Sequence, residues 1–251
     1  MNDFISQDDR ALLERHGLAD FDALWSVDVP AVDEPNTGRG GWSQVFRLDL
    51  GEAAFYLKRQ KNYLTRTPLH PFGEPTFARE FRNIRRYETR GIPALRAAFF
   101  GERKVEGERR AILLTRALDG WRDLDSWLGQ WGELAQPLKD RLTGACGQLA
   151  RLLHSAGERH GCFYPKHIFL RARADGFDAC LIDLEKTRPL WLGRIDRIKD
   201  IEPLLRRTPV WSEHDVREFV GAYLQLPSES QLVAKWYARL GQRRQNKERR
   251  A

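Results

Sequence analysis

The stretches HGCFYPKHIFL (residues 160–170) and CLIDLE (residues 180–185) decide the fold. Ile168, Phe169 and Leu170 read as one short buried strand, and Leu181 and Ile182 as a second. A turn joins them, and a His-centred loop precedes them. The open end of this hairpin gathers His160, Cys162, His167, Asp183 and Glu185. A buried strand that ends in Asp-Leu-Glu points its carboxylates at whatever lies beyond it. One histidine would suit a plain structural hairpin. Two histidines at this spacing, followed by Asp183, point to a nucleotide–metal site. Oxygen suits Mg²⁺ better than imidazole does. Asp183 is therefore the expected main ligand, with Glu185 chemically preferred to His167 as the second.

Working outward, Ser6 with Asp9 three residues later signals a helix through Arg15 that stops at Gly17, and residues 21–26 add a turn. Residues 44–50 and 53–59 alternate as two strands joined at Gly51–Glu52. Residues 61–75 carry Pro68, Pro71 and Pro75 and read as an extended basic loop. Phe77, Phe81, Ile84 and Tyr87 lie on one face of a helix from Thr76 to Thr89. Strands follow over 96–103 and 110–116. Beyond Asp119–Gly120 the chain turns helical. Pro137 suits a first turn, and Leu138, Leu142, Leu149 and Leu152 mark a buried stripe. Three more helices fit 194–206, 213–224 and 228–247. Strands segregated from helices indicate an α+β fold.

The chain has 251 residues, 41% hydrophobic and 31% charged, enough for a packed core. No apolar run approaches the ~20 residues of a spanning helix, and the polar start MNDFISQDDR lacks the pattern of a signal peptide. Three cysteines with no C-x-x-C pair argue against a disulfide framework or zinc site and fit a reducing cytoplasm. There is no G-x-S-x-G elbow and no H-E-x-x-H. No nucleic-acid-binding motif appears, so no nucleic-acid partner is expected. The net charge of +7 favours an anionic partner. Much of it lies in RLGQRRQNKERRA, from Arg239 onward, where six basic residues face one acid.

Two further features fit nucleotide chemistry. Gly38, Gly40 and Gly41, with Ser43, precede a strand and could cradle phosphate, although a plain turn explains them as well. Lys58 alternates with Phe55 and Leu57, so it projects from the opposite strand face. Glu80 follows early on the next helix. That order supplies the strand-lysine and helix-glutamate ion pair that kinases use to hold α- and β-phosphates. Their catalytic loop reads H-R-D, and a metal-binding Asp follows the second strand. Aligned so, Gly161 replaces the Arg, Cys162 the catalytic Asp, and His167 the loop's metal-binding Asn.

Across Gly38 to about Leu205, and most specifically in GCFYPKHIFL and LIDLE, the chain resembles the lipopolysaccharide-core sugar kinases of the Kdo and heptose kinase group, InaA-type branch. The resemblance implies a protein-kinase-like two-lobed fold, with a helical extension over 1–30, a β-rich N-lobe over 31–116 and a helical C-lobe over 117–251. It implies ATP and Mg²⁺, and phosphorylation of a heptose or Kdo of the lipopolysaccharide core or its lipid-linked precursor at the cytoplasmic face of the inner membrane. Gly38, Gly40, Gly41, Ser43, Lys58 and Glu80 would bind nucleotide, Thr115 and Arg116 would begin the hinge, and Asp183 would hold metal. His160 and Cys162 would occupy the catalytic loop. With Cys162 in place of Asp, three readings stay open: an unconventional sugar kinase, a nucleotide-binding pseudokinase with a regulatory role, or a scaffold. There is no A-P-E between Asp183 and the helix near 194, which disfavours a peptide acceptor. Leu232, Val233, Trp236 and Leu240 align on the last helix, with basic residues around them. This predicts an amphipathic tail for an anionic inner-membrane surface.

Overall fold

A computed structural model describes residues 3–38, 40–67 and 70–248. The tips of the tail, Arg249 and Arg250, lie outside the described residues, as do Arg39 of the glycine cluster and Pro68. The chain divides into two units, Met1–Thr89 with Leu95–Asp119, and Arg90–Ala94 with Gly120–Ala251.

The first unit contains β1 (Phe4–Ile5), α1 (Gln7–Arg15), α2 (Phe21–Ser26), β2 (Trp42–Asp49), β3 (Ala54–Lys61), β4 (Leu64–Thr67), β5 (His70–Pro75), α3 (Thr76–Thr89), β6 (Ala97–Val105) and β7 (Glu108–Arg116). Five strands form an antiparallel sheet in the order β1-β6-β7-β3-β2. On β3, Phe55 and Leu57 turn to one face, where Leu13, Phe21 and Leu24 from the N-terminal helices bury them with Phe99, Ile112 and Leu114. Fully burying each such side chain contributes about 1.5–3 kcal/mol. Residues 1–30 are therefore no separate extension. Their helices close this core and β1 pairs with β6. Two local expectations also change. Ser6 makes no side-chain cap: the Asp9 N–H goes to the Ser6 carbonyl at 3.3 Å, and the Asp9 carboxylate turns to Arg116 at 2.6 Å. The proline-bearing 61–75 segment is the β4–β5 hairpin, not a loop.

The second unit contains β8 (Arg122–Asp123), α4 (Leu124–Leu128), α5 (Gln136–Ser155), β9 (Glu158–Arg159), β10 (Ile168–Ala172), β11 (Phe177–Leu181), β12 (Arg188–Pro189), α6 (Arg194–Arg206), α7 (Glu213–Leu224) and α8 (Gln231–Glu248). The hairpin read from sequence is β10–β11, extended by β8 into three strands. The segment after α3 is anchored here: Leu181 N–H donates to Pro93 O at 3.1 Å, and Arg90 pairs with buried Glu158 at 2.8 Å. Leu142 and Leu149 of α5 are buried as expected, but the stripe continues through Leu153 and leaves Leu152 exposed. Val233, Trp236 and Leu240 of α8 are also buried, with Trp236 against Tyr223 at 5.3 Å between ring centroids. Three of the four residues of the expected apolar stripe are thus spent on the core, and Leu232 alone of them stays exposed. Among the described residues, no helix is long and apolar enough to cross a membrane.

Candidate nucleotide and metal site

In the first unit, the alternation that buries Phe55 and Leu57 sends Lys58 to the other sheet face, under α3. Its Nζ lies 2.7 Å from Glu80 Oε1. Glu80 is nearly buried, while Lys58 keeps 19% of its side chain exposed. The Phe77 ring, 5.9 Å away, shields the pair. A carboxylate buried this far needs its cation, and removing one partner strands the other. The pair therefore fixes a lysine whose exposed tip can meet an anion.

The glycine cluster forms a turn at the tip of a hairpin. Asn36 and Ser43 exchange backbone hydrogen bonds at 2.8 and 2.9 Å, and Ala31 bridges Phe46. Gly41 N–H donates back to Gly38 O at 3.2 Å. A Cβ at Gly41 would stand 2.1 Å from the Lys61 carbonyl. Close strand approach thus already demands glycine there, and Ser43 is a pairing residue. Thr115 is buried in β7. The Arg116 guanidinium is held by Asp9 and its N–H by Arg96 O at 3.0 Å.

In the second unit, the loop between β9 and β10 is held from below by Asp200 of α6. One carboxylate oxygen accepts from His160 N–H at 2.8 Å and the other from Gly161 N–H at 2.7 Å. His154 of α5 approaches Asp200 at 3.2 Å and Tyr223 of α7 at 3.0 Å. Burial alone would raise the Asp200 carboxyl. The His154 hydrogen bond, the neighbouring histidines and the Gly161 amide reverse this and hold it below the usual carboxylate range. Sequence reading missed this residue. The signal was present: Asp200 falls one position before the apolar Ile201-x-x-Leu204-Leu205 run, on a helix face that must be buried.

His160 is fully buried. Its Nε2–H donates to Ile182 O at 2.9 Å, and its Nδ1 accepts from Cys162 N–H at 3.3 Å. Both ring nitrogens are used to tie the loop to the strand that carries Asp183. This makes His160 a positioning residue, not the catalytic group expected from its place in the loop. Gly161 has φ +78°, and a Cβ there would lie 2.7 Å from the Lys186 carbonyl. The Arg of an H-R-D loop has no room at this position.

Cys162 is buried. Burial pushes its thiol above the ordinary range, and neighbouring Lys186 only partly offsets this. A protonated thiol flanked by a cation is no substitute for an aspartate base. The guanidinium of Arg207 stacks on Tyr164, two residues further along the loop, at 3.9 Å.

His167 completes the hairpin mouth. Its Nδ1–H donates to Cys162 O at 2.9 Å, which leaves Nε2 as the second nitrogen, 3.3 Å from Asp183 Oδ2. Burial holds the ring below its ordinary pKa, against the pull of the Cys162 carbonyl and of Asp183. A neutral imidazole then presents a lone pair to a carboxylate, and two acceptors at this distance call for a cation between or beside them. Asp183 itself sits in the left-handed region at φ 57°, ψ 62°. A non-glycine residue there carries strain of the kind functional sites retain. Among the described residues no three His, Cys, Asp or Glu side chains converge on a metal position. The pair the structure brings together is Asp183 with His167. Two protein ligands suffice where water and phosphate oxygens fill the remaining positions.

A strand lysine bound to a helix glutamate, and a His loop ahead of a strand-end aspartate, are features that kinase-like phosphotransferases share. The model of the lipopolysaccharide kinase (Kdo/WaaP) family matches residues 22–223. The chain belongs to that family, in its InaA-type branch. It is 31% identical to Protein InaA of Escherichia coli K12 over 173 residues, which cover 67% of this chain and 79% of that protein. It is 30% identical to the lipopolysaccharide core heptose(I) kinase WaaP of Pseudomonas aeruginosa PAO1 over 159 residues, 60% of this chain and 56% of that one. A solved structure of WaaP in complex with acyl carrier protein superposes with a TM-score of 0.70 at 21% identity, covering 98% of this chain and 99% of that one. That likeness establishes the α+β kinase-like fold.

Proposed function

We propose that this protein binds ATP with a divalent cation and acts as a slow, unconventional sugar kinase on a heptose or Kdo of the lipopolysaccharide core or its lipid-linked precursor. The observation that carries the reading is the pairing of an intact Lys58–Glu80 bridge with the His167–Asp183 couple. Lys58 would meet the α- and β-phosphates while Glu80 holds it in place. Asp183 and His167 would hold Mg²⁺, which neutralises developing phosphate charge. Gly38, Gly40 and Gly41 would cover the phosphates, and Thr115 and Arg116 would border the adenine through their backbone.

Phosphoryl transfer passes through a loose transition state, so positioning and charge neutralisation supply most of the acceleration. A missing general base costs typically ~10²–10⁴-fold. Cys162 therefore slows transfer without removing binding. The absence of a peptide-binding segment after Asp183 favours a sugar acceptor. The protein would work in the cytoplasm, at the inner-membrane surface, with the basic residues after Arg239 adding electrostatic attraction.

The buried, protonated Cys162 favours one second reading, a nucleotide-binding pseudokinase with a regulatory or scaffolding role. Single-turnover assays with radiolabelled ATP and dephosphorylated core oligosaccharide separate the two. Transfer that depends on Asp183 supports the kinase. Tight Mg²⁺–ATP binding with no transfer supports the pseudokinase. No ATP binding at all removes both.

A further inference from the structure

Three large apolar side chains stand in solvent within five residues. Trp191 is 84% exposed, Leu192 58% and Ile195 56%. They occupy the turn between β12 and α6. This turn is built, not slack. Buried Asp196 accepts from Trp191 N–H at 3.0 Å and Leu192 N–H at 2.9 Å through one oxygen, and its other oxygen meets Arg159 at 3.2 Å. Gly193, at φ 49°, lets the chain reverse, and Ile195 N–H closes onto Leu192 O at 3.1 Å. A buried aspartate thus presents a tryptophan, a leucine and an isoleucine outward, at the desolvation cost of its own carboxylate. Folding alone supplies no reason to hold them there.

The surroundings are cationic. Arg188, Arg194 and Lys199 are exposed on the same stretch. The acids between residues 185 and 200 are Asp196 and Asp200, both buried and engaged as described, and Glu185, which is half-buried. Three side chains fall far short of the roughly 800 Å² per partner of a stable protein interface. They match the depth to which interfacial residues enter a bilayer, where tryptophan prefers the headgroup level and basic neighbours meet anionic lipid. Position adds to this. β12 pairs with β9, the strand that leads into the His160 loop, and Trp191 follows Asp183 by only eight residues.

We propose that Trp191, Leu192 and Ile195, ringed by Arg188, Arg194 and Lys199, form a docking patch for an anionic lipid surface. The patch would bring the His160–Asp183 hairpin to a lipid-borne acceptor. It rests on the kinase reading for this purpose only, not for the chemistry of the contact.

The test is co-sedimentation of the full chain with phosphatidylcholine vesicles, with and without one quarter phosphatidylglycerol, at low and high salt. Mg²⁺–ATP affinity is measured on the same samples. The full chain is expected to bind the anionic vesicles and to release in salt. The triple variant Trp191→Ser/Leu192→Ser/Ile195→Ser should lose at least tenfold in vesicle affinity. Arg194→Glu/Lys199→Glu should lose a comparable amount at low salt. A tail variant, Arg249→Ser/Arg250→Ser, should lose only a few-fold, and ATP affinity should hold in all. Vesicle binding by the triple variant equal to the parent overturns the proposal. So does equal binding to neutral vesicles. A concentration-dependent dimer that the triple variant dissolves, without vesicle binding, also overturns it and assigns the patch to a second copy. Should the triple variant fail to fold, Trp191→Phe serves instead, with brominated lipids as quencher. Loss of most of the lipid-induced quenching supports the patch, and unchanged quenching refutes it. Failed ATP binding with intact vesicle binding sinks the kinase reading alone.

Discussion

The candidate residues of the two units differ in how fully they match the kinase pattern. In the first unit, Lys58 and Glu80 have the residue types of that pattern and meet at 2.7 Å. In the second, the loop has a buried scaffold, and Cys162 stands where the sequence alignment on H-R-D places the base. Asp200 still clamps the His160 and Gly161 amides, and His160 still ties the loop to Ile182. Gly161 and Cys162 replace the Arg and Asp that a kinase of H-R-D type would carry. The contrast shows that a loop can keep its geometry after its chemistry has changed, because different residues supply the two. Buried hydrogen bonds from α5, α6 and α7 set its shape. One side chain would have set its reactivity.

The largest expected effect lies in that scaffold. Asp200→Ala leaves two loop amides and His154 without their acceptor. Breaking a buried charged network of this kind costs about 3–5 kcal/mol, read as a large fall in denaturation midpoint. The same carboxyl gives a pH signature. Its native value lies below the unfolded one, so its contribution is present above pH ~4 and is lost as pH falls through the native value. The acid limb of stability against pH should therefore flatten in Asp200→Ala. An unaltered limb would show that the clamp carries no stability.

Gly161→Arg, which restores half of an H-R-D loop, should destabilise rather than repair. The left-handed backbone and the Lys186 carbonyl leave no room for a side chain, at a cost on the order of 1–3 kcal/mol. A neutral or stabilising outcome in chemical denaturation would mean the loop is remodelled more easily than its clamp suggests.

Lys58→Met tests the candidate phosphate contact of the first unit. Removing a charged contact to phosphate is worth about 1.5–3 kcal/mol, or roughly tenfold to a hundredfold in ATP affinity. The midpoint of unfolding should also fall, because Glu80 is left buried without its cation. Truncating Glu80 should cost the fold less, since Lys58 keeps part of its side chain in water. The mildest change is Cys162→Asp, which puts a carboxylate beside Lys186 at little change in volume. Turnover on a core-sugar acceptor should rise. A fall would mean the thiol is used in place.

How much of this was legible beforehand follows from where each signal lives. Period-2 alternation at Phe55–Lys58 and the 3.6-residue recurrence from Phe77 to Tyr87 are local, so the sheet, α3 and the Lys58–Glu80 pair could be read directly. The hairpin and Asp183 were also local. The β4–β5 hairpin was hidden by prolines, since Pro71 and Pro75 sit in β5. The short β1, β8, β9 and β12 strands have two residues each and exist only through long-range pairing. The roles of His160, Arg116 and Asp9 were invisible for the same reason. Each is fixed by a partner more than 20 residues away. Trp236 was read as an interfacial residue because amphipathicity reports a buried face without saying what buries it.

The central claim is that the loop lost its base while the nucleotide–metal site survived. Calorimetric titration of ATP into the protein, with and without Mg²⁺, beside Asp183→Ala, tests it most directly. The account predicts Mg²⁺-dependent binding by the parent chain and loss of that dependence in Asp183→Ala, with the variant's fold intact. ATP binding by the parent that ignores Mg²⁺, or Mg²⁺-dependent binding that persists in Asp183→Ala, would contradict it.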